Sequence, residues 1–103
     1  MSYDVTLTCG HCGSNLLDVN MTSNLSAAWT AAGAPLLTFD GQTGVQALPS
    51  LQRAINALRW NPEEYLEHSP TNGWGSLEEC VEFLEKIRDA AALLPDGVIG
   101  VRH

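Results

Sequence analysis

The sequence has few cationic side chains. Five lysines and arginines stand against twelve aspartates and glutamates, which gives a formal net charge of −7. A protein that grips nucleic acid through its phosphates needs a basic surface, and an anionic membrane also attracts cations. The charge balance therefore argues against nucleic acid and membrane surfaces as partners.

Several segments that would indicate a class of protein are also missing. No apolar run reaches the roughly 18 residues that cross a bilayer, and the residues from Met1 to Asp4 do not resemble a secretion signal. The sequence contains no Gly-rich phosphate loop, no His-Glu-x-x-His motif and no nucleophile elbow. We therefore expect a cytoplasmic protein that is not an enzyme.

Cysteine is scarce, and two of the three cysteines stand close together in Cys9-Gly10-His11-Cys12. In a reducing cytoplasm such a pair is not expected to form a structural disulfide. Three interpretations remain open: half of a tetrahedral zinc site, a redox dithiol, or a tight turn in which the thiols have no role. No helix pattern follows Cys12, and this disfavours the redox interpretation.

A zinc site at Cys9 and Cys12 would be incomplete, because zinc takes four ligands. No second close-spaced pair of cysteines or histidines follows in the sequence. Two copies of the chain in a homodimer would supply four thiolates. Within one chain, the remaining candidate ligands are Cys80, His11, His68 and His103.

The pattern of apolar residues predicts one α+β domain over residues 1–103. Tyr3, Val5 and Leu7 alternate with polar residues, as in a half-buried strand. We predict a hairpin of strands at 3–8 and 16–19, helices near 24–32, 49–60, 61–67 and 76–94, and a strand at 98–101. The predicted fold is a small sheet, made of the N-terminal hairpin and the C-terminal strand, packed by three to four helices.

Two details of the predicted helices can be tested. Thr43-x-x-Gln46 resembles a capping box, but Pro49 would then lie inside the helix, so we predict a short turn at 44–48 and a helix from Pro49 to Trp60. The helix at 76–94 places Cys80 on its apolar face. Its opposite face carries Glu82 and Lys86 at the spacing of an i,i+4 ion pair.

Two polar segments, Asn20-Met21-Thr22-Ser23-Asn24 and Asn72-Gly73-Trp74-Gly75, are predicted to be loops. Their residues can serve simply as helix caps, turn formers and a core tryptophan. Alternatively they form a hydrogen-bonding site at a helix N-terminus with an exposed ring for stacking. The candidate ligand- or partner-binding residues are Asn20, Thr22, Asn24, Asn72 and Trp74.

The order of these motifs resembles a family of small uncharacterised proteins of tailed bacteriophages. The resemblance rests on Asn20-Met21-Thr22-Ser23-Asn24, Asn61-Pro62-Glu63-Glu64-Tyr65, Asn72-Gly73-Trp74-Gly75 and Val98-Ile99-Gly100-Val101, in that order. It implies a phage origin and action in the host cytoplasm. It implies no particular activity and no catalytic residue.

We therefore expect a non-enzymatic accessory protein that binds a host or phage protein, in host takeover or counter-defence. One alternative is a binder of a small nucleotide-like signal through the 20–24 and 72–75 segments. The other is a zinc-knuckle or thiol protein acting through Cys9 and Cys12. No cofactor is firmly indicated, and zinc is the candidate.

Overall fold

The computed structural model describes residues 2–10, 13–22, 26–65 and 77–103. The strands are β1 (Ser2–Thr8), β2 (Asn15–Thr22) and β3 (Val98–Arg102). The helices are α1 (Ser26–Ala32), α2 (Gly44–Trp60), α3 (Pro62–Tyr65) and α4 (Leu77–Leu93), and a 3₁₀ helix spans Leu36–Phe39. Among these residues no helix is both long and apolar enough to cross a membrane.

The strands form one antiparallel sheet in the order β2-β1-β3. Val5 of β1 lies opposite Val19 of β2 on one side and opposite Val101 of β3 on the other. The register shifts between Leu7 and Thr8, where a bulge interrupts the hairpin. The prediction of an N-terminal hairpin with the C-terminal strand beside it is confirmed.

The helices cover one face of this sheet. Val5, Leu7 and Ile99 point into that face and are almost fully buried, whereas Asp4 on the opposite face is exposed. Trp29 of α1 is completely buried, with its ring edge-on to Tyr3 at 5.1 Å and 5.5 Å from Phe83 of α4. The α+β class and the alternation of β1 are therefore as predicted, and α2 and α4 pack against each other above the sheet.

The predicted start of α2 at Pro49 is wrong, because the helix begins at Gly44. The capping box is formed: the Thr43 N–H donates to Gln46 Oε1 at 2.9 Å, and the Gln46 N–H donates to Thr43 Oγ1 at 3.4 Å. The first turn is also anchored by the rest of the fold, because the Gly44 and Val45 N–H groups donate to the carbonyls of Gly97 and Pro95. Pro49 lies exposed within the helix, so these contacts offset the hydrogen bond that its ring removes.

Candidate functional site

The Cys9 segment forms the hairpin turn between β1 and β2. The Cys9 N–H donates to the Ser14 carbonyl at 2.8 Å, and the Gly13 N–H donates to the Cys9 carbonyl at 3.0 Å. Gly13 has a φ of +73°, a conformation that glycine adopts without a steric penalty. Cys9 is partly exposed and begins the connection of the predicted hairpin, while His11 and Cys12 lie outside the described residues.

Two candidate zinc ligands lie too far from Cys9 to share a metal with it in one chain. His103 packs against Tyr3, with ring centroids 4.4 Å apart, and the strand from Tyr3 to Cys9 spans roughly 20 Å. Cys9 borders the same surface depression as Leu93, and the helix from Leu93 back to Cys80 spans roughly 20 Å as well. Burial also raises the pKa of the Cys80 thiol to about 12, which keeps it protonated and a poor ligand.

Other metal sites are not evident in the described part of the chain. Within residues 2–10, 13–22, 26–65 and 77–103, no three histidine, cysteine, aspartate or glutamate side chains come together as a potential metal site. The zinc hypothesis thus depends on Cys9 and Cys12 together with His11, His68 or a second copy of the chain. It stays a prediction.

The polar segment that begins at Asn20 is not a loop over residues 20–22, because these residues continue β2. The Asn20 side-chain amide donates to Asp4 Oδ1 at 2.6 Å and to Ser2 Oγ at 3.0 Å, across the strand pair. Both of its hydrogens are therefore used within the sheet. The alternation of Leu17, Val19 and Met21, which pack against the core, was the sequence signal for the longer strand.

The other residues of the predicted ligand site cannot be placed beside Asn20. The backbone of Thr22 pairs with Ser2 at the end of β2. Asn24, Asn72 and Trp74 lie outside the described residues. The arrangement of these five residues as one site stays a prediction.

One edge of the sheet is closed by the connection that precedes α2. The Gly41 N–H donates to the Ile99 carbonyl and the Ile99 N–H to the Gln42 carbonyl, both at 2.8 Å. The Val101 N–H donates to Asp40 Oδ1 at 2.9 Å. The outer edge of β3 is thus already paired by residues of the same chain.

The outer edge of β2 directs backbone groups away from the sheet. This follows from the alternation of hydrogen-bonded and non-hydrogen-bonded residue pairs in an antiparallel sheet. Because Ile99 and Val101 turn their amides away from β1, the intervening Gly100 bonds to Thr6 of β1. Val5 and Leu7 must then bond to Val19 and Leu17 of β2. Asp18, Asn20 and the Thr22 backbone therefore direct their N–H and C=O groups outward, and no backbone bond to these groups is found among the described residues.

This edge opens into a groove of about 540 Å³ between β2 and α4. Residues 18–21 form one wall, and the other wall contains Glu79, Glu82, Phe83 and Lys86. The predicted Glu82–Lys86 ion pair is not formed, since neither residue belongs to the ion pairs of the described chain. These charges instead line the groove, which contains three carboxylates and one ammonium group.

The groove was not predicted from the sequence. In the sequence, the charges of α4 indicate only an i,i+4 ion pair, and the sequence does not state which strand of a sheet is the outer one. The signal present in the sequence was limited to the alternation of polar Asp18 and Asn20 with apolar neighbours, which indicates a strand with one exposed face.

Comparison with known proteins identifies no similar protein. No protein-family model, no curated protein and no solved structure matches the chain.

Proposed function

We propose that this chain is a non-enzymatic interaction protein that binds another protein through the outer edge of β2. The observation that carries this proposal is the row of outward backbone groups at Asp18 and Asn20 beside the groove with α4. An unpaired strand edge is a template for a further strand, and the added main-chain hydrogen bonds provide affinity without any catalytic group.

The chemistry of the groove favours a protein partner over a nucleic acid or a small anion. Asp18 and Glu82 line it and Lys86 is its single cation, so phosphates would meet a predominantly negative surface. The small-ligand alternative relied on Asn20 as a donor, and both hydrogens of that amide are bonded to Asp4 and Ser2. An extended peptide needs neither a cation cluster nor these donors.

The biological setting of this proposal comes from the motifs. Their resemblance to small proteins of tailed bacteriophages supports an accessory role in the host cytoplasm, in host takeover or counter-defence. An acidic protein with an open strand edge suits that role, because it can occupy a surface of a host or phage protein without chemistry of its own.

Site-specific photocrosslinking tests the proposal. Lys86 on the groove wall and Arg53, an exposed residue of α2 that does not line the groove, are each replaced by p-benzoylphenylalanine in bacterial cells. The Lys86 position should give a discrete crosslinked protein in phage-infected cells, identified by mass spectrometry, and the Arg53 position should not. Identical products from both positions, or no product from any groove position, would overturn the proposal.

A further inference from the structure

The charges beside the open edge specify what kind of strand fits it. Asp18 is exposed on the uncovered face of the sheet, and Asp4 lies one residue pair further along the same face. Glu82 of α4 lines the groove on the covered side of the sheet. We infer that the partner segment is an extended strand in which lysine or arginine alternates with apolar residues, and that it adds to the sheet beside β2; this inference rests on the function proposed above.

The alternation follows from the two faces of the sheet. Side chains of neighbouring strands that lie opposite each other share a face, and opposite charges in such pairs attract. Every second residue of the added strand would therefore lie on the open face, and the one beside Asp18 is favoured to be basic. The residues between them would lie on the face of the partly buried Val19 and Met21, which favours apolar side chains.

A second copy of this chain fits the edge less well. Each chain carries a net charge of −7, and a twofold pairing of β2 with itself would bring two acidic edges together. When Asp18 is the centre of that pairing, two carboxylates lie directly opposite each other, an arrangement that destabilises a sheet. A basic strand instead places a cation beside Asp18, so charge selects the partner.

The test uses labelled peptides of defined pattern and the intact protein. The probe alternates lysine and valine over about eight residues, the length of a typical strand or slightly more, and a second peptide replaces each lysine with glutamate. Fluorescence anisotropy should show binding of the lysine peptide, with an affinity that falls as salt is added. The glutamate peptide should bind more than about tenfold more weakly, because it sets like charges against Asp18 on the open face.

Two protein variants separate the groove from general charge attraction. Asp18→Asn should weaken binding of the lysine peptide by roughly 1.5- to 5-fold, the range measured for single cross-strand charge pairs. Asp96→Asn makes the same charge change in the exposed turn after α4, outside the groove, and should leave the affinity unchanged. Equal effects of the two substitutions would show attraction to net charge alone and would overturn the inference.

Backbone methylation of the probe tests strand addition without altering the protein. In a strand, alternate residues direct their N–H groups to opposite sides, so methylating the lysine amides blocks one side and methylating the valine amides blocks the other. One methylated peptide should lose binding and the other should keep it, and the Asp18 and Asn20 amides should exchange more slowly with solvent in the bound state. Equal binding of both methylated peptides, or unchanged exchange at these amides, would overturn strand addition.

The outcomes distinguish this inference from the proposed function. If Lys86 crosslinks a partner protein but no lysine–valine peptide binds, the interaction role stands and the basic strand is wrong. If the peptides bind at the edge but the groove positions crosslink nothing in infected cells, the chemistry of the edge is correct and the cellular role is wrong.

Discussion

Gly44 is the position where the structure and helix propensity make opposite predictions. It is the first residue of α2 and is buried against the last turn of α4. A Cβ at this position would lie 2.9 Å from the carbonyl oxygens of both Ala91 and Leu94, and 3.1 Å from the Ala91 Cα. Propensity alone predicts that Gly44→Ala stabilises the helix by up to about 1 kcal/mol.

We expect Gly44→Ala to destabilise the protein by about 2 kcal/mol. The clashing atoms all belong to the backbone of α4 and of Leu94, which follows it, so no side-chain rotation can relieve the contact and the two segments must move apart. Overpacking of this kind typically costs about 1–3 kcal/mol, and the gain from propensity is small at the first position of a helix. The Gly44 N–H bond to the Gly97 carbonyl would be strained by the same movement.

Pro49→Ala provides the matched control in the same helix. Pro49 is exposed, and alanine would restore the N–H that the helix lacks there. This gain is partly offset by the greater entropy of the unfolded chain. We expect a stabilisation of about 1 kcal/mol.

Denaturant unfolding followed by circular dichroism, together with thermal melting, measures both variants. Gly44→Ala should lower the Tm by roughly 10 °C, since about 1 kcal/mol corresponds to 4–8 °C in a domain of this size, and Pro49→Ala should raise it. A Gly44→Ala variant that is as stable as the parent protein would refute the close packing of α2 on α4.

Other measurements address the cysteines and the sheet. Burial raises the pKa of Cys80 from its ordinary value of 9.0 to about 12, so the stability from the neutral thiol is complete below pH 9 and is lost as the pH rises from 9 toward 12. The free energy of unfolding should fall by at most about 1.4 kcal/mol per pH unit in this range, and Cys80→Ala should reduce that slope. Urea unfolding at several pH values measures it, and equal slopes in the two proteins would contradict the burial of Cys80. Native mass spectrometry after purification without chelator should find any bound zinc unchanged in Cys80→Ala and His103→Ala and lost in Cys9→Ser. Loss of zinc from Cys80→Ala or His103→Ala would refute the separation of roughly 20 Å between these residues and Cys9. Asn20→Ala should lower stability by about 1 kcal/mol or less, since its bonds to Asp4 and Ser2 are exposed, and a much larger loss in thermal melting would assign Asn20 a role beyond the sheet.

The elements with strong periodicity were predictable from the sequence. Tyr3, Val5 and Leu7 alternate cleanly, and the apolar face of α4 repeats through Cys80, Val81, Leu84 and Ile87, all of which are buried. These patterns indicate which side chains are buried, so β1 and α4 could be predicted from them. The C-terminal strand followed from its valine and isoleucine content and its position after a Pro-Asp-Gly turn.

The elements that sequence reasoning missed depend on contacts between distant residues. The first turn of α2 is held by hydrogen bonds from Gly44 and Val45 to the turn at 95–97, about fifty residues away in the chain. The local sequence does not reveal these bonds, which offset the destabilising effect of Pro49. Asn20 is favoured in turns by its own propensity, but its pairing with Asp4 of β1 keeps it in a strand. The groove has the same origin, because Asp18 and Glu82 line one depression only when β2 lies beside α4.

The two edges of the sheet have different chemistry, and this asymmetry explains how an open edge can persist in an acidic protein. The edge of β3 is paired by residues 40–42, so it offers nothing to another strand. Among the described residues no backbone group pairs with the edge of β2. The bulge beside Leu7 disrupts the beginning of this edge, and Asp18 repels another acidic edge. A basic strand does not encounter that repulsion, and its cations would also reduce the mutual repulsion of Asp18 and Asp4 on the open face. Binding should therefore stabilise the fold as well as the complex, because the partner supplies positive charge beside Asp18.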